Sequence, residues 1–258
     1  MKRLAALVAV LIAAFVLAPA TVAANRSTAD LTDQGRLIRA FRRAFVGYWA
    51  SGDRAFDPAT QRVVDYWFRY HVAKAALAAA LVVALVALGV LIWRAFLPAR
   101  GVRAGALAAG GVAVTGLAVL SLAAVLANIH GLAAPFGSLL PMLFGGSDAA
   151  LTGTLTQVRQ QLAAGHHPPA LDVITGDYVR FHAVMAVEGS IVVIALIALT
   201  VLLWWRFRRS TGRARAVLAA YGVFTPLLSL ALAVVVLANA TTAAHPQPGL
   251  EGFFAGGW

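Results

Sequence analysis

Four long apolar runs, at residues 72–93, 106–127, 183–205 and 216–238, carry almost no charged side chain. About 20 such residues suffice to cross the hydrocarbon of a bilayer as a helix. Each run therefore predicts a membrane-spanning helix, and the runs come in pairs. Arg69, His71, Trp93 and Asn128 of the first pair recur as Arg180, His182, Trp204 and Asn239 in the second, every time 111 positions later. A register kept without a gap reads as a tandem copy of one helical hairpin. Two crossings per copy give both copies the same orientation, so a pseudo-two-fold axis along the membrane normal relates them. Gly89, Ala109, Gly110, Ala113, Gly116 and Gly189 are small enough for close helix contact in lipid. Pro226 should kink the last span and free a carbonyl near Gly222.

A shorter apolar run at the start follows Lys2 and Arg3 and ends at Pro19 and the small residues around Val22 and Ala24, the parts of a secretory signal peptide. Cleavage after Ala24 is the expectation, with an uncleaved anchor as the alternative. Residues 25–70 are polar. Leu31, Ile38, Phe41, Phe45 and Tyr48 recur near a period of 3.6 with Arg36, Arg39, Arg42 and Arg43 between them, which predicts a basic amphipathic helix lying on the membrane surface or packed as a lid. Ser51-Gly52-Asp53 breaks it. Asp57-Pro58 then pairs an N-cap with proline at the first helical position and opens one long helix reaching Trp93. Between the copies, Ser147-Asp148 opens a short helix that Gly165 ends, and His166-His167-Pro168-Pro169 follows as a rigid turn. The tail from Thr241, through His245-Pro246 to Phe253, Phe254 and Trp258, corresponds to Ala134-Pro135 and the apolar stretch after it.

Composition agrees with a bilayer: 61% of residues are hydrophobic and 12% charged, with a mean hydropathy of +0.81. The formal charge of +11 would point a soluble chain toward nucleic acid. Here its location matters more. Arg94, Arg100 and Arg103 in one short loop, and Arg206, Arg208, Arg209, Arg213 and Arg215 in the other, have no acid beside them, which assigns both loops to the cytoplasm. The segment 129–178 has Arg159 as its one Lys or Arg and belongs outside, as do both mature termini. Trp93, Trp204 and Trp205 mark the inner interface, and Tyr66, Trp67, Tyr70, Tyr178 and Phe181 the outer one. The chain lacks cysteine, which removes disulfides, thiolate metal sites and cysteine nucleophiles.

Candidate chemistry gathers at the outer end: His71, Lys74, Asn128, His130, His182, Glu188 and Asn239. His71 pairs with His182, and Asn128 with Asn239, under the duplication, whereas Lys74 and Glu188 break it. On a packing reading Lys74 pairs with Glu188 and the asparagines close helix ends in the left-handed conformation. On a transport reading Lys74, Glu188 and the histidines line an outer vestibule for a proton or small solute. On a redox reading His71 and His182 hold a haem between helices. His166-His167 alone lacks the ligand number of a metal site. A phosphate-cradling glycine loop, a nucleophile elbow and a His-Glu-x-x-His helix are all missing, so an enzyme is not expected.

The segments Tyr66-Trp67-Phe68-Arg69-Tyr70-His71-Val72-Ala73-Lys74-Ala75 and Ala127-Asn128-Ile129-His130-Gly131-Leu132-Ala133-Ala134-Pro135-Phe136 resemble a group of integral membrane proteins of high-GC actinobacteria to which no activity is assigned. The resemblance implies a signal sequence and a duplicated helical hairpin over nearly the whole mature chain. The expectation is thus an all-α membrane protein divided into a signal or anchor (1–24), an external amphipathic segment (25–70), a first hairpin with its re-entry segment (71–142), an external helical linker (143–177) and a second hairpin with its tail (178–258). It sits in a bacterial plasma membrane as a non-enzymatic accessory protein. Its expected partners are the bilayer, anionic lipid headgroups or another envelope protein, with no nucleic acid and no resident cofactor.

Overall fold

The computed structural model describes residues 1–145 and 148–256. Ser147, expected at a helix start, and Trp258, expected in the aromatic tail, lie outside them. Every regular element among the described residues is helical: α1 (Lys2–Ala23), α2 (Gln34–Ser51), α3 (Pro58–Phe96), α4 (Gly101–Ala133), α5 (Pro135–Leu139), α6 (Ala149–Ala163), α7 (Pro169–Arg208), α8 (Gly212–Ala244) and α9 (Pro246–Phe254), with 3₁₀ turns at Ala29–Thr32 and Leu140–Leu143. Helices α1, α3, α4, α7 and α8 are long and apolar enough to cross a membrane.

Local chemistry sets the ends. Asp33 caps α2 by accepting the Arg36 N–H at 2.8 Å, and Asp148 caps α6 through Ala150 at 2.9 Å. Before α3, burial alone would raise the Asp57 carboxyl. The Thr60 hydroxyl and the Ala59 and Thr60 amides outweigh that and hold it below its usual range. The tight turns into α4 and α8 pass through Gly101 and Gly212 at φ 56° and 58°, a region that a Cβ disfavours.

Two expectations need correction. Helix α7 begins at Pro169 rather than near Arg180, so residues 169–177 form the first turns of one continuous helix that runs to Arg208. Pro169 fits the first helical turn, where its missing N–H costs nothing, and Gly176 alone does not stop the helix. Asn128 and Asn239 do not close helices in the left-handed conformation. They lie inside α4 and α8, and no described residue other than glycine has positive φ.

The chain divides into two units. The first, Met1–Phe15, Ala76–Leu126 and Met185–Asn239, is aliphatic. On α3, Leu81, Ala84, Leu85, Leu88 and Ile92 form a helical stripe, buried with Val8 of α1. The same aliphatic chemistry also faces outward: Val83, Ile194, Leu230 and Leu237 are each between 65% and 70% exposed. Glycines seat tryptophans, since a Cβ on Gly111 would come within 2.7 Å of the Trp93 ring and one on Gly222 within 3.2 Å of the Trp204 ring. Gly189 packs on Val236 and Gly89 on Val114, whereas Gly110 and Gly116 have no such neighbour within 4 Å. Helix α8 continues through Pro226, and the carbonyl that this proline leaves without its N–H partner, that of Gly222, accepts the Trp204 indole N–H at 3.0 Å.

The second unit, Val16–Ala75, Ala127–Val184 and Ala240–Trp258, has an aromatic core. Phe136 of α5 lies at its centre, with ring centroids 4.8 Å from Phe56, 5.7 Å from Tyr48, 6.0 Å from Phe41 and 6.4 Å from Phe45. The apolar face of α2 is therefore buried in protein, through Leu37 rather than Ile38. Burial pushes the Tyr48 phenol up to about 12. Arginines tie the loops down. Arg42 donates to the carbonyls of Met142 and Phe144, Arg69 to Ala23 at 2.8 Å and Arg159 to Phe254 at 2.5 Å. Arg54 pairs with Asp172 at 2.5 Å. Bonds of this charge-assisted kind are each worth about 1.5–3 kcal/mol where shielded from water. Phe136→Ala removes the ring that four others share and should cost about 3–5 kcal/mol, read as a lower denaturant midpoint for protease resistance of this unit in detergent.

Candidate functional site

The polar residues of the sequence reading fall into both units. His71, Lys74, Asn128, His130 and His182 belong to the aromatic unit, Glu188 and Asn239 to the aliphatic one. His71, Asn128, His130, Glu188 and Asn239 are all buried. Glu188 lies on α7, a helix long and apolar enough to cross a membrane, and an ionisable group on such a helix is costly unless it faces protein.

His71 is held from three sides by its own unit. Its Nδ1 donates to the Trp67 carbonyl one helical turn earlier, at 2.9 Å; a carbonyl only accepts, so the proton resides on Nδ1. The Trp67 ring lies edge-on to the imidazole at 4.6 Å. On the remaining edge the α4 backbone closes in at Gly131, where a Cβ would come within 2.4 Å of Nε2. Only glycine leaves room there. Both ring nitrogens thus face protein. Trp67 is fixed in turn by stacking on Tyr70 at 5.0 Å and by donating its indole N–H to the Ser138 hydroxyl at 2.9 Å.

The neighbours follow the same pattern of aromatic contact. His130 packs edge-on against Phe181 at 4.4 Å, and His182 against Tyr178 at 4.5 Å. The Lys74 ammonium lies 5.4 Å from the Tyr70 ring centroid, within cation–π range. Lys74 and His130 are both within electrostatic reach of His71, so three of the expected residues do come together. Asn239 donates its amide to the Val235 carbonyl at 2.8 Å, an in-helix bond rather than a cap. Among the described residues no group of three His, Asp or Glu side chains is placed to hold a metal ion. His166 meets Gln161 at 3.1 Å, and His167 lies 3.9 Å from Asp172.

Three features of this arrangement were not evident in the sequence. Gly131 reads as one more small residue in an apolar helix. Trp67 reads as an interfacial aromatic, although its carbonyl, ring and indole each hold a different partner. Tyr221 occupies the position equivalent to Gly110, and its hydroxyl accepts the Trp93 indole N–H at 2.8 Å and shares a hydrogen bond with Thr115. A break in the 111-residue register was the one available signal for that last group.

The observed contacts pack the His71 side chain of α3 against the α4 backbone at Gly131. Gly131→Ala should lower the melting temperature in detergent, and His71→Ala, which opens the space, should recover most of that loss when combined with it. Strictly additive losses would contradict the contact. In comparisons with family models, with curated proteins and with solved structures, nothing matches this chain.

Proposed function

We propose that the protein is a non-enzymatic integral membrane protein of a bacterial envelope, with the aliphatic unit in the bilayer and the aromatic unit as an external cap that recruits a partner. The carrying observation is the opposite surface chemistry of the two units. One exposes Val83, Ile191, Ile194, Leu227, Leu230 and Val234, and the other buries the rings of Phe41, Phe45, Tyr48 and Phe136 and exposes Arg36, Arg39 and Arg43 on α2. Large aliphatic surfaces are stable against hydrocarbon and costly against water. With its apolar face buried, α2 has only its charged face left to offer, which suits an acidic partner surface.

The duplicated four-span reading draws support from the helix ends. Pro58, Gly101 and Pro135 start helices that answer, 111 positions later, to those starting at Pro169, Gly212 and Pro246. Ala134 and His245, the residues before α5 and α9, share φ near −132° and −133°. The two tryptophan-on-glycine contacts, Trp93 with Gly111 and Trp204 with Gly222, are equivalent at the same offset. Helices α2 and α6 precede α3 and α7 in the same way, which extends the repeat beyond the hairpins to a short cap helix in each copy. The arginine loops and the removal or retention of α1 complete the proposed topology.

Because the chain has no cysteine, single-cysteine labelling tests this topology. Ser51→Cys should react with an impermeant maleimide added to intact cells, and Ser210→Cys only after the membrane is opened. The reverse pattern would sink the proposal.

A further inference from the structure

The aliphatic unit contains a cavity of about 690 Å³, bounded by the second halves of α3 and α7 and by facing parts of α4 and α8. This is within the range of about 300–1,000 Å³ typical of small-molecule sites. Its body is hydrocarbon: Leu85, Val90, Val114, Leu203, Val217 and Leu218 line it. The polar side chains beside this hydrocarbon body, Trp93, Thr115 and Tyr221, are already satisfied, because the Tyr221 hydroxyl accepts from the Trp93 indole and shares a hydrogen bond with Thr115. Val86 and Val90, both lining residues, are 54% and 46% exposed, so the cavity opens sideways.

One end of this cavity is strongly basic. Arg94, Arg206 and Arg209 line it together with Ser210, and the guanidinium of Arg209 is set over the Trp205 ring at 4.0 Å. No acid in the unit can serve them. Glu188 is the unit's sole carboxylate side chain, against Lys2, Arg3 and eight arginines. It lies on the same continuous helix as Arg206, 18 residues and hence about 27 Å away. Hydrocarbon in the body, cations at the rim and a lateral opening are complementary to one molecule class. A second copy of this chain would bring the same positive rim and be repelled.

We infer that this cavity binds an anionic glycerophospholipid from the leaflet facing the arginine loops, with an acyl chain in the cavity body and the phosphate held by Arg94, Arg206 and Arg209. Basic pockets between helices at that membrane face bind such headgroups by point charge and bidentate hydrogen bonding. The inference rests on the placement of the aliphatic unit in the bilayer. Thr115 and Tyr221, which help to line the cavity, stand where the other copy has Pro226 and Gly110.

The test uses the full chain in nanodiscs of phosphatidylcholine containing a minor fraction of phosphatidylglycerol, each lipid spin-labelled in turn. The native protein should immobilise phosphatidylglycerol in preference to phosphatidylcholine. Each of Arg94→Gln, Arg206→Gln and Arg209→Gln should weaken that preference by about fivefold at most, and the triple variant should abolish it. Leu203→Trp, which fills the body and keeps the charges, should also reduce immobilisation of phosphatidylglycerol. Arg100→Gln with Arg103→Gln removes charge from the same loop but not from the cavity, and should leave the preference in place. Equal immobilisation of both lipids by the native protein, or an equal loss in the Arg100/Arg103 control, overturns the inference in favour of diffuse surface charge. Failure of the protein to enter nanodiscs would instead overturn the membrane placement on which it rests.

Discussion

Outward-facing aliphatic side chains are the constraint from which most of this structure follows. A unit that exposes valine, leucine and isoleucine along the second half of α7 and the middle of α8 is stable only where the surroundings are hydrocarbon, because each such side chain would cost on the order of 1–3 kcal/mol in water. In that medium apolar contact no longer drives helices together. What remains is close fit and internal hydrogen bonding, and the aliphatic unit relies on both. Trp93 and Trp204 press onto glycines, Gly189 lets Val236 approach, and the carbonyl released by Pro226 is taken by an indole N–H.

The aromatic unit follows the opposite rule. Its core is made of rings around Phe136, and its irregular segments are fixed by arginines that donate to main-chain carbonyls or pair with aspartates. A basic composition thus has two distinct uses in one chain. In the aromatic unit, arginines such as Arg42, Arg69 and Arg159 are structural donors with in-chain partners. In and beside the loops after α3 and α7 they have no carboxylate partner within the aliphatic unit: Arg213 donates to the Ala99 carbonyl, Arg209 and Arg215 lie over the rings of Trp205 and Phe207, and Arg94, Arg206 and Arg209 line the cavity. The net charge describes neither use alone.

Much of the architecture was legible because its signals are local. The four apolar runs each lie within one of α3, α4, α7 and α8, Asp57-Pro58 and Asp148 mark helix starts as their capping chemistry requires, and the carbonyl freed by Pro226 is found at Gly222. What was missed depends on distance in sequence or on competition between signals. His166-His167-Pro168-Pro169 reads as a turn, yet Pro169 serves as the first residue of a 40-residue helix. Asn128 and Asn239 look like helix ends because asparagine tolerates positive φ, but the helices continue past both and the Asn239 side chain bonds back within its own. The fit of His71 against Gly131, 60 residues away, has no local signature at all.

The central claim is that the aliphatic unit faces hydrocarbon and the aromatic unit faces water. Collision accessibility of spin labels in nanodiscs tests it most directly. Labels at Ile191, Ile194 and Leu230 should be relaxed by oxygen and protected from a water-soluble nickel chelate, and labels at Arg39 and Thr156 should show the converse. Ready access of the nickel chelate to Ile194 and Leu230 would contradict the account.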